Sequence, residues 1–422
     1  MEISLKQKLK SDYIFAWILA LVYFIPNINY YLSFISQAMG GGGTTVVLYI
    51  CIYLVVIYAY CRTITKGKIT FVCLLMVAVL YGFTLTLWPQ NEVYMFGDLW
   101  DAVYNPLYRI LFLGLPLFFV SAFIEDYKYL YNLFCKFAIV NLGVALVAYI
   151  WLVIGNKQDF EYMTFSYNML FSAALCFMEG RRRRSIVLLP ASLLGIVAII
   201  AMGSRGAMVC AALFVILSMF VFERKNGMQF FFLLISGLLV ALILINFESV
   251  IKWLIDVLHE FGFASRSLQR LLNGTLLEDR GRDYINIALK NAISEEPVFG
   301  YGLFGDRYIT ELARGGSGAT YAHNIFLEWL TQFGVVVGGI IIIVYVYNSI
   351  KCVFAKTDYM LKSIYICAFS AVFVRMLVSG SYLIEPGFYL LIGIIMMIKR
   401  DVRNSKYINV SNQVNNKGNN LT

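Results

Sequence analysis

The sequence predicts an all-α integral membrane protein of about twelve transmembrane helices, with one large extracytoplasmic loop between helices 9 and 10. Three observations predict it. First, hydrophobic residues make up 60% of the 422-residue chain and charged residues only 14%. A soluble domain carries about 25% charged residues, so charge here is too scarce to cover a water-facing surface, and the mean hydropathy is +0.74. Second, the apolar residues form continuous runs of spanning length, not the alternating pattern of a barrel strand. Third, the basic residues recur between the runs in an order that assigns them to one face.

A spanning helix needs about 20 apolar residues. On that rule the spans cover 13–34, 44–61, 69–88, 105–124, 134–154, 163–179, 185–203, 206–222, 229–247, 325–349, 362–380 and 383–398. The chain thus divides into helices 1–9 over 1–247, the outer loop with short helices over 248–324, helices 10–12 over 325–400, and a polar tail over 401–422. The tail is rich in Asn and reads as disordered.

Orientation follows from charge. Lys6, Lys8 and Lys10 precede the first span, and Arg62, Lys66 and Lys68 follow the second. Lys128 and Lys136 follow the fourth, Arg181, Arg182, Arg183 and Arg184 the sixth, and Arg224 and Lys225 the eighth. Lys351, Lys356 and Lys362 follow the tenth, and Lys399, Arg400, Arg403, Lys406 and Lys417 the last. With twelve spans all these clusters share one side, which is the cytoplasmic side and holds both termini. The net charge of +9 is therefore a topology signal and implies no nucleic-acid partner. The eight cysteines all lie in or beside apolar runs, without Cys-x-x-Cys spacing, which argues against a disulfide framework or a thiolate metal site.

The opposite face differs. The loop near 88–104 carries Glu92, Asp98 and Asp101 and no Lys or Arg. Within the large loop, 251–272 has the apolar spacing of an interfacial helix, 283–294 predicts a second short helix, and 300–320, rich in Gly and small polar residues, predicts loop. No internal repeat stands out, which disfavours an inverted-repeat transporter. Basic residues on this face need a reason. Arg205 lies at an outer turn in Gly-Ser-Arg-Gly-Ala (203–207), Arg109 near the outer start of span four, and Arg375 inside the apolar run of span eleven, where an ion pair with Glu385 would offset its cost. The loop adds Arg266, Arg270, Arg280, Arg282, Arg307 and Arg314, interspersed with Asp279, Asp283, Asp306 and Glu311, so several are structural. Outward guanidinium groups at this depth match the paired oxygens of a phosphate, such as a lipid diphosphate.

The chain has two histidines. His259 lies in the amphipathic stretch and reads as interfacial and structural. His323 lies where the polar loop re-enters a membrane helix, as a candidate general base. Tyr94, Tyr104, Tyr301, Tyr308 and Tyr321 on the same side are candidates for stacking on sugars or for headgroup packing.

Three stretches together resemble the O-antigen polymerase and O-antigen ligase superfamily: Gly-Ser-Arg-Gly-Ala (203–207); Arg282 followed by Ala288-Leu289 and Glu296-Pro297-Val298-Phe299-Gly300-Tyr301-Gly302; and His323-Asn324 with Leu327, Glu328 and Phe333-Gly334. The resemblance spans about 200–345 in order and spacing. It implies a GT-C-like glycosyltransferase of the bacterial inner (cytoplasmic) membrane, independent of metal and other cofactors, with its active site facing the periplasm. The donor it implies is a glycan on undecaprenyl diphosphate. By analogy Arg205 and Arg282 bind the diphosphate and His323 is catalytic. Arg280 stands two residues before Arg282 and is an alternative for that role. Arg109, Arg375, Tyr321 and Asn324 are further candidates for substrate binding. Partners implied are membrane lipids, a chain-length regulator and a flippase. A polymerase would extend a lipid-linked repeat unit, and a ligase would transfer the glycan to lipid A core. The residues do not separate the two, and the prevalence of divergent polymerases favours the first. The competing classes are a lipid-linked oligosaccharide flippase, disfavoured by the scarcity of mid-span charge, and a non-catalytic assembly partner.

Overall fold

The computed structural model describes residues 2–38, 43–97, 105–154, 162–202, 204–219, 221, 247–260, 282–316 and 320–419. Among the described residues all regular structure is helical. In chain order the helices are α1 (Glu2–Ala38), α2 (Gly43–Ile64), α3 (Lys68–Leu87), the short α4 (Glu92–Phe96), and α5 (Pro106–Ser121), which contains a π turn at Arg109–Gly114. They continue with α6 (Tyr127–Ile154), α7 (Tyr162–Arg183), α8 (Leu188–Ala201), α9 (Arg205–Ser218), α10 (Phe247–Glu260), α11 (Arg282–Glu295), α12 (Gly305–Ala313), α13 (Ile325–Val353), α14 (Tyr359–Val378) and α15 (Pro386–Asn419).

The bundle is an integral membrane protein by its outer surface. Ile50, Leu54, Ile57, Phe71, Leu75, Met76, Val79 and Phe83 on α2 and α3 are exposed, as are Ile340, Ile343 and Val344 on α13. A soluble monomer rarely shows such a patch. α14 is the opposite case: residues 361–372 are all buried. Its Ser363, Ala368, Ser370 and Ala371 are small, which lets α7, α9, α13 and α15 pack closely around it. Lys362 on this helix belongs to a basic cluster in the sequence, yet it is buried. Its Nζ donates to the carbonyls of Cys352 at 2.9 Å, Ala355 at 3.0 Å and Val353, closing the C-terminal end of α13.

Several of the described basic residues lie at one end of the bundle. Lys66 lies over the Phe15 ring at 4.9 Å, and Phe15 packs on Phe123. Arg400 donates to the carbonyls of Ala122 and Ile124. Thr357 bonds Asp401, and Arg182 lies 5.8 Å over the Tyr131 ring.

Some sequence expectations are met in part and others are corrected. Of about twelve spans that the sequence suggests, six described helices are long and apolar enough to cross a membrane, and Pro106–Ser121, Leu188–Ala201 and Gly206–Ser218 are apolar but shorter. Span nine (229–247) lies almost wholly outside the described residues, as does the interfacial stretch beyond Glu260. The segment 300–320, expected as loop, contains α12. Its Asp-Arg-Tyr-Ile-Thr-Glu-Leu-Ala core has good helix formers, and glycines punctuate both flanks, Gly315 and Gly316 at φ 62° and 80°. The tail expected to lack structure is helical to Asn419, continuing α15 past the anchor at Asp401. The short helix expected over 283–294 is present as α11.

One feature of α13 positions the candidate site. Gly334 lies inside this helix at φ 74° and ψ 176°, outside helical geometry. The break frees backbone groups that hydrocarbon cannot satisfy. The segment 297–302 takes them up: Tyr301 N–H donates to Thr331 O at 2.8 Å, Gly302 N–H to Gln332 O at 3.0 Å, and Val335 N–H to Pro297 O at 2.7 Å. The approach is so close that a Cβ on Gly334 would sit 2.3 Å from Val298 O, and one on Gly300 2.5 Å from Thr331 O. Asn91 holds the same segment from α3's side, its Nδ2 donating to Tyr301 O at 2.7 Å and Leu303 O at 3.0 Å.

Gly334→Ala meets both a positive φ and a backbone clash, so it should lower stability by about 2 kcal/mol or more. Gly339→Ala, with nothing within 4 Å of its Cβ, should be neutral or stabilising by up to about 1 kcal/mol. Thermal unfolding of the detergent-solubilised variants measures both, and equal behaviour of the pair would remove the interlock as the reason for Gly334.

Candidate active site

The segment 320–324 closes one side of the site. Asn324 is the N-cap of α13, its Oδ1 accepting from Phe326 N–H at 2.9 Å and Leu327 N–H at 3.3 Å. His323 just before it has a left-handed backbone, φ 55°, a region that His enters more readily than most residues. The turn folds the imidazole back onto Tyr321, with ring centroids 4.2 Å apart.

Tyr321 ties this turn to α14. Its hydroxyl donates to Ser379 O at 2.8 Å, and Ser379 N–H donates to Arg375 O at 2.8 Å. Arg375 pairs with Glu385 at 2.7 Å, as its position in an apolar run requires. Its guanidinium also lies 4.8 Å over the Tyr167 ring.

The start of α9 reaches the same place. Gly206 is packed so tightly that a Cβ there would sit 1.8 Å from Tyr167 Oη and 3.2 Å from Val378. Gly206 of the Gly-Ser-Arg-Gly-Ala stretch thus abuts Val378, next to the Ser379 to which Tyr321 is bonded. The start of α11 arrives from the other side, where Ile285 and Leu289 form a small apolar cluster with Ala322, Ile309 and Leu327. Arg205 and Arg282 are the first residues of α9 and α11. Their side chains, like Arg280 and the side chain of His259, lie outside the described residues. Arg109 opens the π turn of α5, which packs on α2 and α15.

Beneath the turn lies a buried polar network. Asp306 accepts from Ala322 N–H at 3.1 Å and from Gln332 Nε2 at 2.7 Å. Arg307 spans Asp306 at 3.4 Å and Glu328 at 3.7 Å, and donates to Ser381 Oγ at 3.0 Å. Ser381 bonds Glu328, and Tyr382 Oη donates to Gln332 Oε1 at 2.6 Å. Asp306 and Glu328 are fully buried. Farther out, Tyr94 donates to the Glu311 carboxylate. Burial, reinforced by that carboxylate, holds its phenol well above the ordinary range. Arg314 Nε donates to Tyr284 Oη at 2.8 Å. Among the described residues, no three His, Cys, Asp or Glu side chains gather as a metal would require.

Five residues of this network, Asp306, Arg307, Glu328, Gln332 and Ser381, have no assigned role in the sequence reading, although Arg307 falls among the loop arginines read there as structural. A signal for two of them exists. Glu328 and Gln332 are four residues apart at the start of an apolar run, and polar groups at that spacing share a helix face that must turn inward.

Residues 190–343 match the family model of O-antigen ligase. The match covers less than half of the chain, and it includes the three sequence stretches that resemble the O-antigen polymerase and ligase superfamily, with which it agrees. No curated protein and no solved structure matches the chain.

Replacing Arg307 by Met leaves two buried carboxylates facing each other without their cation. The expected cost is about 3–5 kcal/mol. Adding Glu328→Gln to Arg307→Met should recover part of that loss. Unfolding midpoints of the single and double variants test the network, and an R307M protein as stable as wild type would overturn it.

Proposed function

We propose that the protein is a surface-polysaccharide polymerase, transferring a glycan from undecaprenyl diphosphate to a lipid-linked repeat unit at the outer face of the inner membrane. The match over 190–343 implies a glycosyltransferase-like enzyme of O-antigen assembly acting on lipid-linked glycans. The observation that carries the residue assignments is the convergence at Val378-Ser379 and Ala322: the starts of α9 and α11 and the Tyr321–His323 turn meet there.

In this mechanism the acceptor hydroxyl attacks the anomeric carbon of the donor. The His323 imidazole accepts the hydroxyl proton, which base catalysis of this kind rewards by roughly 10²–10⁴-fold. The bond to the diphosphate oxygen breaks, and undecaprenyl diphosphate leaves with the electron pair. Arg205 and Arg282 stabilise the charge that grows on it, most strongly in the transition state. Arg375 pairs with Glu385, and its backbone carbonyl accepts from the N–H of Ser379, the residue whose carbonyl accepts from Tyr321. The ligase reading has a specific support in the description of the matching family, and it shares every step except the acceptor.

Purified protein given a lipid-linked repeat unit should build a ladder without lipid A core. Transfer only to the core would make it a ligase, and no product with either acceptor would discard the enzyme. His323→Ala should lose about 10²–10⁴-fold in turnover while remaining in the membrane, and normal product lengths would remove the base. Arg282→Lys keeps the charge but loses the paired donors, so turnover should fall about tenfold or more; unchanged turnover would discard the bidentate contact.

A further inference from the structure

A second charged feature lies at the basic end of the bundle, where α7 stops. Glu179, with a side chain 1% exposed, receives Arg182 through Nε at 2.7 Å and Nη2 at 2.8 Å, and it also pairs with Arg183. The helix then ends in a two-bond turn: Ser185 N–H donates to Gly180 O at 2.8 Å, and Arg184 N–H to Arg181 O at 3.4 Å. The residue between these bonds takes a left-handed backbone, the place where helices ordinarily use glycine. Here it is Arg184, at φ 52°. An L-residue there carries strain that glycine would avoid.

Arg184 lines a cavity of about 850 Å³ with Arg181, Arg182, Ser185, Leu189 and Tyr359. The cavity opens beside a strip of exposed apolar side chains. Ile186, which lines it, is 88% exposed and the next residue Val187 69%, and Leu193, Leu194 and Val197 follow on one face of α8. From Leu188 to Val197 that face descends about 14 Å, roughly the hydrocarbon depth of one leaflet.

We propose that this cavity binds the phosphate of an acidic membrane lipid, with its acyl chains laid along Leu193, Leu194 and Val197. Guanidinium groups match phosphate oxygens with paired donors, and Glu179 fixes Arg182 in place before the ligand arrives. A basic pocket between helices at the membrane surface is the expected form of a lipid-headgroup site. A soluble phosphate would satisfy the arginines but leave the apolar strip without a role, which favours the lipid.

The cap geometry supplies a clean test, because Arg184→Gly removes the guanidinium while giving the turn its preferred residue. Purified full-length protein is melted in phosphatidylcholine, with and without added phosphatidylglycerol, and retained lipid is counted by native mass spectrometry. Wild type should retain phosphatidylglycerol and melt several degrees higher with it. R184G should melt at or above wild type in phosphatidylcholine alone, yet bind phosphatidylglycerol about tenfold more weakly. A full phosphatidylglycerol shift in R184G, or an equal effect of phosphatidylcholine, overturns the site. Inorganic phosphate reproducing the whole shift would overturn the lipid and leave a soluble anion as its ligand.

Discussion

The structure around the candidate site depends on a break in a helix that is otherwise apolar enough to cross the membrane. At Gly334 the backbone of α13 leaves helical geometry, and exposed peptide groups are intolerable in hydrocarbon. The segment 297–302 resolves this by lying against the break and exchanging main-chain hydrogen bonds with Thr331, Gln332 and Val335. This accounts for the glycines at 300 and 334: each allows a main-chain approach that any Cβ would block. The outer loop is therefore fastened to the bundle by backbone, and α12 and the 320–324 turn inherit their positions from that attachment.

The buried network extends the fastening to the turn that carries His323. Asp306 on α12 holds Ala322 N–H, Gln332 on α13 holds Asp306, and Arg307 joins both helices to Ser381. Desolvating these charges is costly, and such networks are weak evidence for stability as such. Their consequence here is geometric. Ala322 is clamped from two sides, by a hydrogen bond to Asp306 and by apolar contact with Ile285 and Leu289, so the next residue has little freedom. In the proposed mechanism that residue, His323, takes a proton from the acceptor, which requires it to be held in place before the substrate arrives.

Much of this was legible in the sequence. Low charge content and long apolar runs indicate a helical membrane protein, and the Arg375–Glu385 pair follows from the cost of a lone cation in an apolar run. Two residues of the basic clusters come close in the structure, Lys66 over Phe15 and Arg400 on the 122–124 turn, where Phe15 packs on Phe123. The span count is met only in part: six described helices have the length and hydropathy of a span, and span nine lies almost wholly outside the described residues. Helix α12 was hidden for a different reason. Its flanking glycines suggest loop, and Asp306 and Arg307 look solvent-facing, whereas they find partners on α13 and at Ala322 and Ser381. Lys362 illustrates the same limit: as sequence it belongs to a basic cluster, and as structure it closes the carbonyls at the end of α13.

These two uses of arginine and lysine separate the ends of the molecule. At the basic end Arg182 and Arg183 both lean on a single buried carboxylate, Glu179. At the other end Arg307 and Arg375 each meet carboxylates of their own, Asp306 and Glu328 for one and Glu385 for the other. Arginines compensated in this way brace helices and attract an incoming anion only weakly. In the proposed mechanism the charge that stabilises the leaving diphosphate comes instead from Arg205 and Arg282, the first residues of α9 and α11, where the positive end of the helix dipole adds to it.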